Sequence, residues 1–142
     1  MKTEVSAGGI IVRKVGGEWK VLLLRDMHDN LTFPKGMVEA NESFEETAIR
    51  EIHEEVGLTV QTPVNAFPII RYMYTRGTLF SKSVHYYLFH YTGHEKLTPQ
   101  KEEGIQLVVW MPLPDAIERV GYSKTNRPLL IATEKFLSSY GN

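Results

Sequence analysis

Cysteine is absent from all 142 residues, which removes disulfide bridges, thiolate metal ligands and a cysteine nucleophile together. Excess charge is absent as well: 16 basic residues against 17 acidic ones leave a formal net charge of −1. The chain as a whole is therefore no electrostatic partner for nucleic acid, and a polyanion must be met by a local basic patch or a bound cation. No apolar run nears the ~20 residues that a membrane span needs. The opening Met1-Lys2-Thr3-Glu4 leads into a short apolar stretch broken by Gly8 and Gly9, the pattern of neither a secretory leader nor an anchor. The expectation is a cytoplasmic protein with no membrane partner. Repeats, low-complexity tracts and linkers are missing too, so residues 1–142 are expected to form one domain with a single core.

What is present reads as alternating short elements. Val5 to Lys14 and Trp19 to Arg25, on either side of Gly16-Gly17, predict a β-hairpin. Asp26 to Ala40 is polar and turn-rich, with Pro34 and Gly36. Phe44 to Val56 predicts a helix. Thr59 to Tyr74 is expected to be extended, with breaks at Pro63 and Pro68. The aromatic alternation of Ser83 to Tyr91 predicts a strand, Leu97 to Gly104 a charged loop, and Ile105 to Met111 another strand. Asp115 to Val120 suits a short helix. Arg127 to Ser138 suits a last one, with Asn126 as N-cap and Pro128 in its first turn. Helices and hairpin-like strands mixed in this way imply a layered α/β or α+β fold.

The chemistry concentrates in Gly36 to Leu58, GMVEANESFEETAIREIHEEVGL. Ser43 followed by Glu46 is a capping-box pattern, which starts the helix near Phe44. Gly57 suits the position just past its end. At about 100° per residue, Ala48, Ile49, Ile52 and Val56 form the apolar face, and Glu46 and His53 point to solvent. Glu51, Glu54 and Glu55 share a neighbouring face, where three carboxylates repel. A hard divalent cation relieves that repulsion, and Mg²⁺ takes just such oxygen ligands while bridging to phosphates. Arg50, a turn before Glu54, is placed to orient a carboxylate. Taken alone, EIHEE better suits a solvated glutamate-rich helix; the wider pattern reverses that reading.

That wider pattern resembles the Nudix box at every position: Gly36, Glu42, Arg50, Glu51, Ile52, Glu54, Glu55, Gly57 and Leu58. The chance of such a match is on the order of 10⁻⁷ with ordinary residue frequencies. Ser6-Ala7-Gly8-Gly9 is similar to the family's usual opening, and Trp110-Met111-Pro112-Leu113 to its usual ending. The resemblance implies an α/β fold, an α/β/α sandwich with a mixed sheet and a loop–helix–loop box. It implies metals on Glu51, Glu54, Glu55 and the backbone carbonyl of Lys35, with one distal glutamate, Glu103 or Glu102. Mg²⁺ is the expected cofactor, with Mn²⁺ as substitute. A cation there neutralises phosphate charge and activates water. Glu54 is the first candidate for general base and Glu103 the second, while Glu42 is expected to fix the loop or ligate through water.

The expected substrate is a nucleoside diphosphate derivative. Phe33-Pro34-Lys35-Gly36 resembles the lead-in of diadenosine polyphosphate hydrolases, and Tyr74, sixteen residues past Leu58 with Tyr72 close by, matches the tyrosine that marks that group. Tyr74 and Tyr86 are candidate base-stacking rings. Lys35, Arg25 and Lys82 are candidate phosphate contacts. MutT-like nucleoside triphosphates, ADP-ribose, diphosphoinositol polyphosphates and RNA 5′ ends stay open as alternatives, as does a non-catalytic nucleotide-binding module. An isomerase of this scaffold relies on a cysteine that the chain lacks. A monomer or a homodimer is expected.

Overall fold

A computed structural model of the protein describes residues 1–141. In chain order its elements are β1 (Lys2–Val15), β2 (Glu18–Arg25), β3 (Leu31–Thr32), β4 (Lys35–Met37), α1 (Phe44–Val56), β5 (Asn65–Ala66), β6 (Ile70–Arg76), β7 (Thr78–His90), β8 (Leu107–Pro112), α2 (Leu113–Arg119) and α3 (Ser123–Leu137). A one-turn 3₁₀ segment, Lys101–Glu103, precedes β8.

Strand alternation organises the layers. β1 and β7 run parallel, from Lys2 opposite Phe80 to Val12 opposite His90. Every other contact between strands in the mixed sheet is antiparallel. Ala7 and Ile11 of β1 face one way and pack with Ala48, Ile52 and Val56 of α1. Ile10 and Val12 face the other way, toward Leu113 and Ala116 of α2 and Leu129 and Leu130 of α3. The result is an α/β/α sandwich. The single core expected from chain length is divided by the sheet into two. Among the described residues no helix is long and apolar enough to cross a membrane.

Several boundaries differ from expectation. Only Asn65–Ala66 and Ile70–Arg76 of the stretch from Thr59 to Tyr74 are strand. The prolines interrupt it, although Val64 and Phe67 still donate backbone bonds to β7 at Leu88 and Tyr86. β7 begins at Thr78, five residues earlier than read, because Gly77 turns β6 straight back onto it. The last helix starts at Ser123, and its N-cap is Tyr122 in the left-handed region (φ 50°, ψ 47°) without a side-chain cap. Asn126 is no cap: it is buried, and its amide donates to the Thr32 hydroxyl at 3.2 Å and the Gly121 carbonyl at 3.0 Å. Pro128 consequently lies in the second turn, inside the helix.

Candidate active site

α1 is fixed at both ends by the signals its sequence carries. The Ser43 hydroxyl accepts from Glu46 N–H at 3.0 Å, and the Glu46 carboxylate accepts from Ser43 N–H at 2.8 Å. Such a cap contributes about 1 kcal/mol. Gly57 closes the helix at φ 84°, donating to the His53 carbonyl. Glu55, read as part of an acidic face beside the apolar one, is 9% exposed and lies with the buried residues, whereas Ile49, read as apolar-face, is only partly buried.

Arg50 ties the loop ahead of α1 to the helix. Its Nε and Nη2 meet the two oxygens of Glu42 at 2.6 and 3.0 Å, and Nη2 also reaches the Met37 carbonyl at 3.1 Å. Its Nη1 donates to Glu51 at 2.9 Å and Glu54 at 3.3 Å. Glu42 completes the lock by accepting from Glu39 N–H and the Thr47 hydroxyl. The Arg50 contacts hold the Glu42 carboxyl down to about 2, with the Glu39 and Thr47 bonds adding to it, and Glu42 in turn raises Arg50 above its usual value. Gly36 makes room for this arrangement: a Cβ there would stand 2.1 Å from the Glu51 carboxyl carbon.

Glu51, Glu55 and Glu103 crowd one another. Burial pushes the Glu55 carboxyl well above the usual carboxylate range, and neighbouring Glu51 and more remote Glu103 push it further, against the opposing pull of Lys35. Burial likewise raises Glu103, with Glu51 and Glu54 adding to the effect. Glu55 Oε2 is buried without a hydrogen-bond partner, a costly state for a carboxylate. A hard divalent cation supplies what this donor set lacks: positive charge next to an orphaned oxygen among converging carboxylates. The residues present therefore fit such an ion. The cage is not closed in advance, since among the described residues no three acidic or imidazole side chains converge tightly enough to hold a metal as they stand; Arg50 occupies oxygens of Glu51 and Glu54.

A backbone relay links the helix to the distal glutamate. Gln100 N–H donates to the Glu55 carbonyl at 3.0 Å, and Glu103 N–H donates to the Gln100 carbonyl at 3.1 Å. Glu103 and Glu55 both line a cavity of about 810 Å³, and Glu102 does not. Phe33, Ile70, Val84 and Tyr86 give that cavity an apolar lining, to which Tyr72 adds a further ring. Lys35 lines it near Glu55, and Tyr122 to Asn126 at the start of α3 form a further wall. The Tyr122 hydroxyl donates to Asp26 at 2.7 Å, which anchors that wall to the end of β2.

The structure thus gathers Lys35, Glu55, Tyr86 and Glu103 around the cavity, with Glu51, Glu54 and Arg50 behind them. Three expected substrate contacts are not among the lining residues. Tyr74 lies two residues along β6 from Tyr72, stacked on Phe80 at 5.0 Å with its hydroxyl on Glu4. Lys82 is paired in register with Glu4 and Tyr72, outside the lining. Arg25 is turned to Asp29, at 2.8 Å. Tyr72, named only as the neighbour of Tyr74, and Phe33, read only as part of the lead-in, line the cavity, as does Tyr122, which the sequence reading did not single out. The alternation of β6 offered Tyr72 as readily as Tyr74, but nothing local pointed to Tyr122.

A family model described as the NUDIX domain matches residues 2–132. The MutT4 protein of Mycobacterium tuberculosis (strain CDC 1551 / Oshkosh) is 31% identical over 138 residues, which cover 92% of this chain; the chain spans 55% of that protein's length. The crystal structure of a binary complex of C. elegans Ap4A hydrolase is similar with a TM-score of 0.78 at 28% identity, covering 96% of this chain and 99% of that one. A MutT structure, from the homologues of Aliivibrio salmonicida and Vibrio cholerae, is similar with a TM-score of 0.65 at 26% identity, covering 91% and 96%. With the box complete and the fold shared along almost the whole chain, the protein belongs to the Nudix hydrolase family.

Proposed function

We propose that the protein is a Mg²⁺-dependent pyrophosphohydrolase of nucleoside diphosphate derivatives, with a dinucleoside polyphosphate such as diadenosine tetraphosphate as its substrate. One observation carries the reading: the orphaned carboxylate of Glu55, crowded by Glu51 and Glu103, opens onto a cavity with a lysine beside it and aromatic rings beyond. Glu51, Glu54, Glu55, Glu103 and the Lys35 carbonyl would hold divalent cations, which would supply charge neutralisation for the phosphates and a more acidic water. The Lys35 ammonium binds a phosphate. Glu54, whose Arg50 contact engages a single oxygen, takes the proton of the attacking water on the other. Water adds to one phosphorus, the anhydride P–O bond breaks, and the leaving phosphate departs with its nucleoside. Tyr72 and Tyr122, both lining the cavity, receive a base, at roughly 1–3 kcal/mol per stacking contact. The lead-in Phe33-Pro34-Lys35-Gly36 and the likeness to the C. elegans Ap4A hydrolase favour a dinucleoside polyphosphate.

A second reading, hydrolysis of a nucleoside triphosphate to its monophosphate, is favoured by the 31% identity to MutT4. Both are tested by incubating the protein with Mg²⁺ and a panel holding diadenosine tetraphosphate, 8-oxo-dGTP, ordinary nucleoside triphosphates, ADP-ribose, a diphosphoinositol polyphosphate and 5′-triphosphate RNA. The expected result is fastest release of ATP from diadenosine tetraphosphate. Preference for a triphosphate selects the second reading. Binding without turnover in Mg²⁺ or Mn²⁺ overturns both.

A further inference from the structure

Glu95 lies outside the cavity lining, yet it organises the loop that carries Glu103. Its Oε1 accepts from Thr59 N–H at 2.7 Å and from the Tyr91 hydroxyl at 3.2 Å. Its Oε2 accepts from the Thr59 hydroxyl at 2.9 Å. Its own N–H donates to the Tyr91 hydroxyl oxygen at 2.8 Å. The Thr59 backbone and hydroxyl bonds hold the Glu95 carboxyl below its ordinary range. Thr59 belongs to the chain leaving α1, two residues past the Gly57 cap.

The loop then closes onto the helix end. Thr98 N–H donates to the Val56 carbonyl at 2.9 Å and Gln100 N–H to the Glu55 carbonyl at 3.0 Å, two of the acceptors a helix C-terminus leaves unpaired. The packing is tight: a Cβ on Gly57 would stand 2.0 Å from the Thr98 hydroxyl. On its far side the loop is pinned by Gln106 N–H on the Arg25 carbonyl at 2.9 Å. Between these anchors there is one 3₁₀ turn and no strand, so the anchors themselves fix the path of the loop.

We propose that Glu95 is a positioning residue: by clamping Thr59 it docks the 92–104 loop on the end of α1 and so sets where Glu103 stands against Glu51 and Glu55. This rests on the reading of Glu103 as a cation ligand. The side-chain type matters, because a carboxylate takes the amide and the hydroxyl of Thr59 on separate oxygens. Glutamine keeps one acceptor oxygen, and alanine keeps none.

The test uses the full chain without substrate. Mn²⁺ binding is followed by electron paramagnetic resonance, and the amide exchange of Thr98 and Gln100 by NMR, for Glu95→Ala, Glu95→Gln, Glu103→Gln and the double variant Glu95→Ala/Glu103→Gln. Glu95→Ala should weaken Mn²⁺ binding on the order of 10-fold and speed exchange at both amides by a similar factor. Glu95→Gln should fall between it and the parent. The double variant should bind Mn²⁺ no worse than Glu103→Gln, since both changes act through one ligand. Additive losses, or a Glu95→Ala protein with parental affinity and exchange, overturn the proposal. If Glu103→Gln alone leaves Mn²⁺ binding intact, the ligand reading of Glu103 fails, and with it the role in metal binding assigned to Glu95; faster exchange in Glu95→Ala would then show a structural clamp only.

Discussion

The two walls of the cavity are built on different terms. On the α1 side, polar side chains hold one another: Arg50 alone reaches Glu42, Glu51, Glu54 and the Met37 carbonyl, all within 3.3 Å. These residues lie within one run from Gly36 to Leu58: helix periodicity brings Arg50 to Glu54, and the loop ahead of α1 folds back to bring Glu42 and Met37 to Arg50. In the aromatic part of the lining, Tyr72 comes from a hairpin strand and Tyr122 from a helix start half the chain away. Tyr72 is placed by the backbone pairing of β6 with β7, and Tyr122 by a left-handed backbone and one hydroxyl bond to Asp26. The first wall suits chemistry that tolerates little change. The second can vary from ring to ring without disturbing the carboxylates, and it is where substrate choice belongs.

That contrast can be broken in order of effect. Glu55→Gln should cost the most: loss of a partner contact around a metal ligand typically costs 10–100-fold, so loss of a residue proposed as the ligand itself should exceed roughly 100-fold in kcat. Steady-state kinetics in Mg²⁺ check this, and activity within a few-fold of the parent would remove the carboxylate cluster from the mechanism. Arg50→Lys keeps the charge but loses the fork to Glu42, and should lower kcat by about 10–100-fold while changing KM little. Tyr72→Ala should raise KM by roughly 5- to 150-fold, the equivalent of 1–3 kcal/mol of stacking, with Tyr74→Ala near the parent. The reverse ranking would restore Tyr74 as the platform. Ser43→Ala should lower unfolding free energy by about 1 kcal/mol in a denaturant titration, with the acidic face intact.

The smallest effect is one of pH. The folded-state value of Glu42 is depressed, so the stability it contributes is present above its ordinary 4.5 and drains away as pH falls toward about 2. A carboxyl-carbon NMR titration of the metal-free protein should show that midpoint, and Arg50→Lys should move it upward.

Sequence reading reached furthest where one element carries its own signals. The capping box at Ser43 and Glu46, the Gly57 stop and the apolar face of α1 stand in the structure as read. It failed where a residue's role is assigned by a distant partner. Asn126 has the chemistry of an N-cap, but Thr32 and the Gly121 carbonyl claim its amide. Glu55 and Glu54 are neighbours of one type, and only packing against the sheet buries the first and leaves the second exposed. Tyr72 and Tyr74 share a face of β6, and the extent of the cavity alone separates them.

The parallel pairing of β1 with β7 also bears on how the chain finds its fold. Lys2 is matched with Phe80 and Val12 with His90, so the central seam of the sheet joins segments far apart along the chain. Loop-closure entropy must be met before that seam contributes anything, whereas the β1–β2 hairpin and α1 can form from local contacts alone. Such topology slows folding relative to proteins of similar size with nearest-neighbour pairing. During synthesis the first strand must wait, with its Ile10-Ile11-Val12 surface only partly covered by β2, until β7 has been made. Refolding kinetics should accordingly be governed by the docking of β7, and substitutions along the seam should slow refolding more than equally destabilising ones in α3.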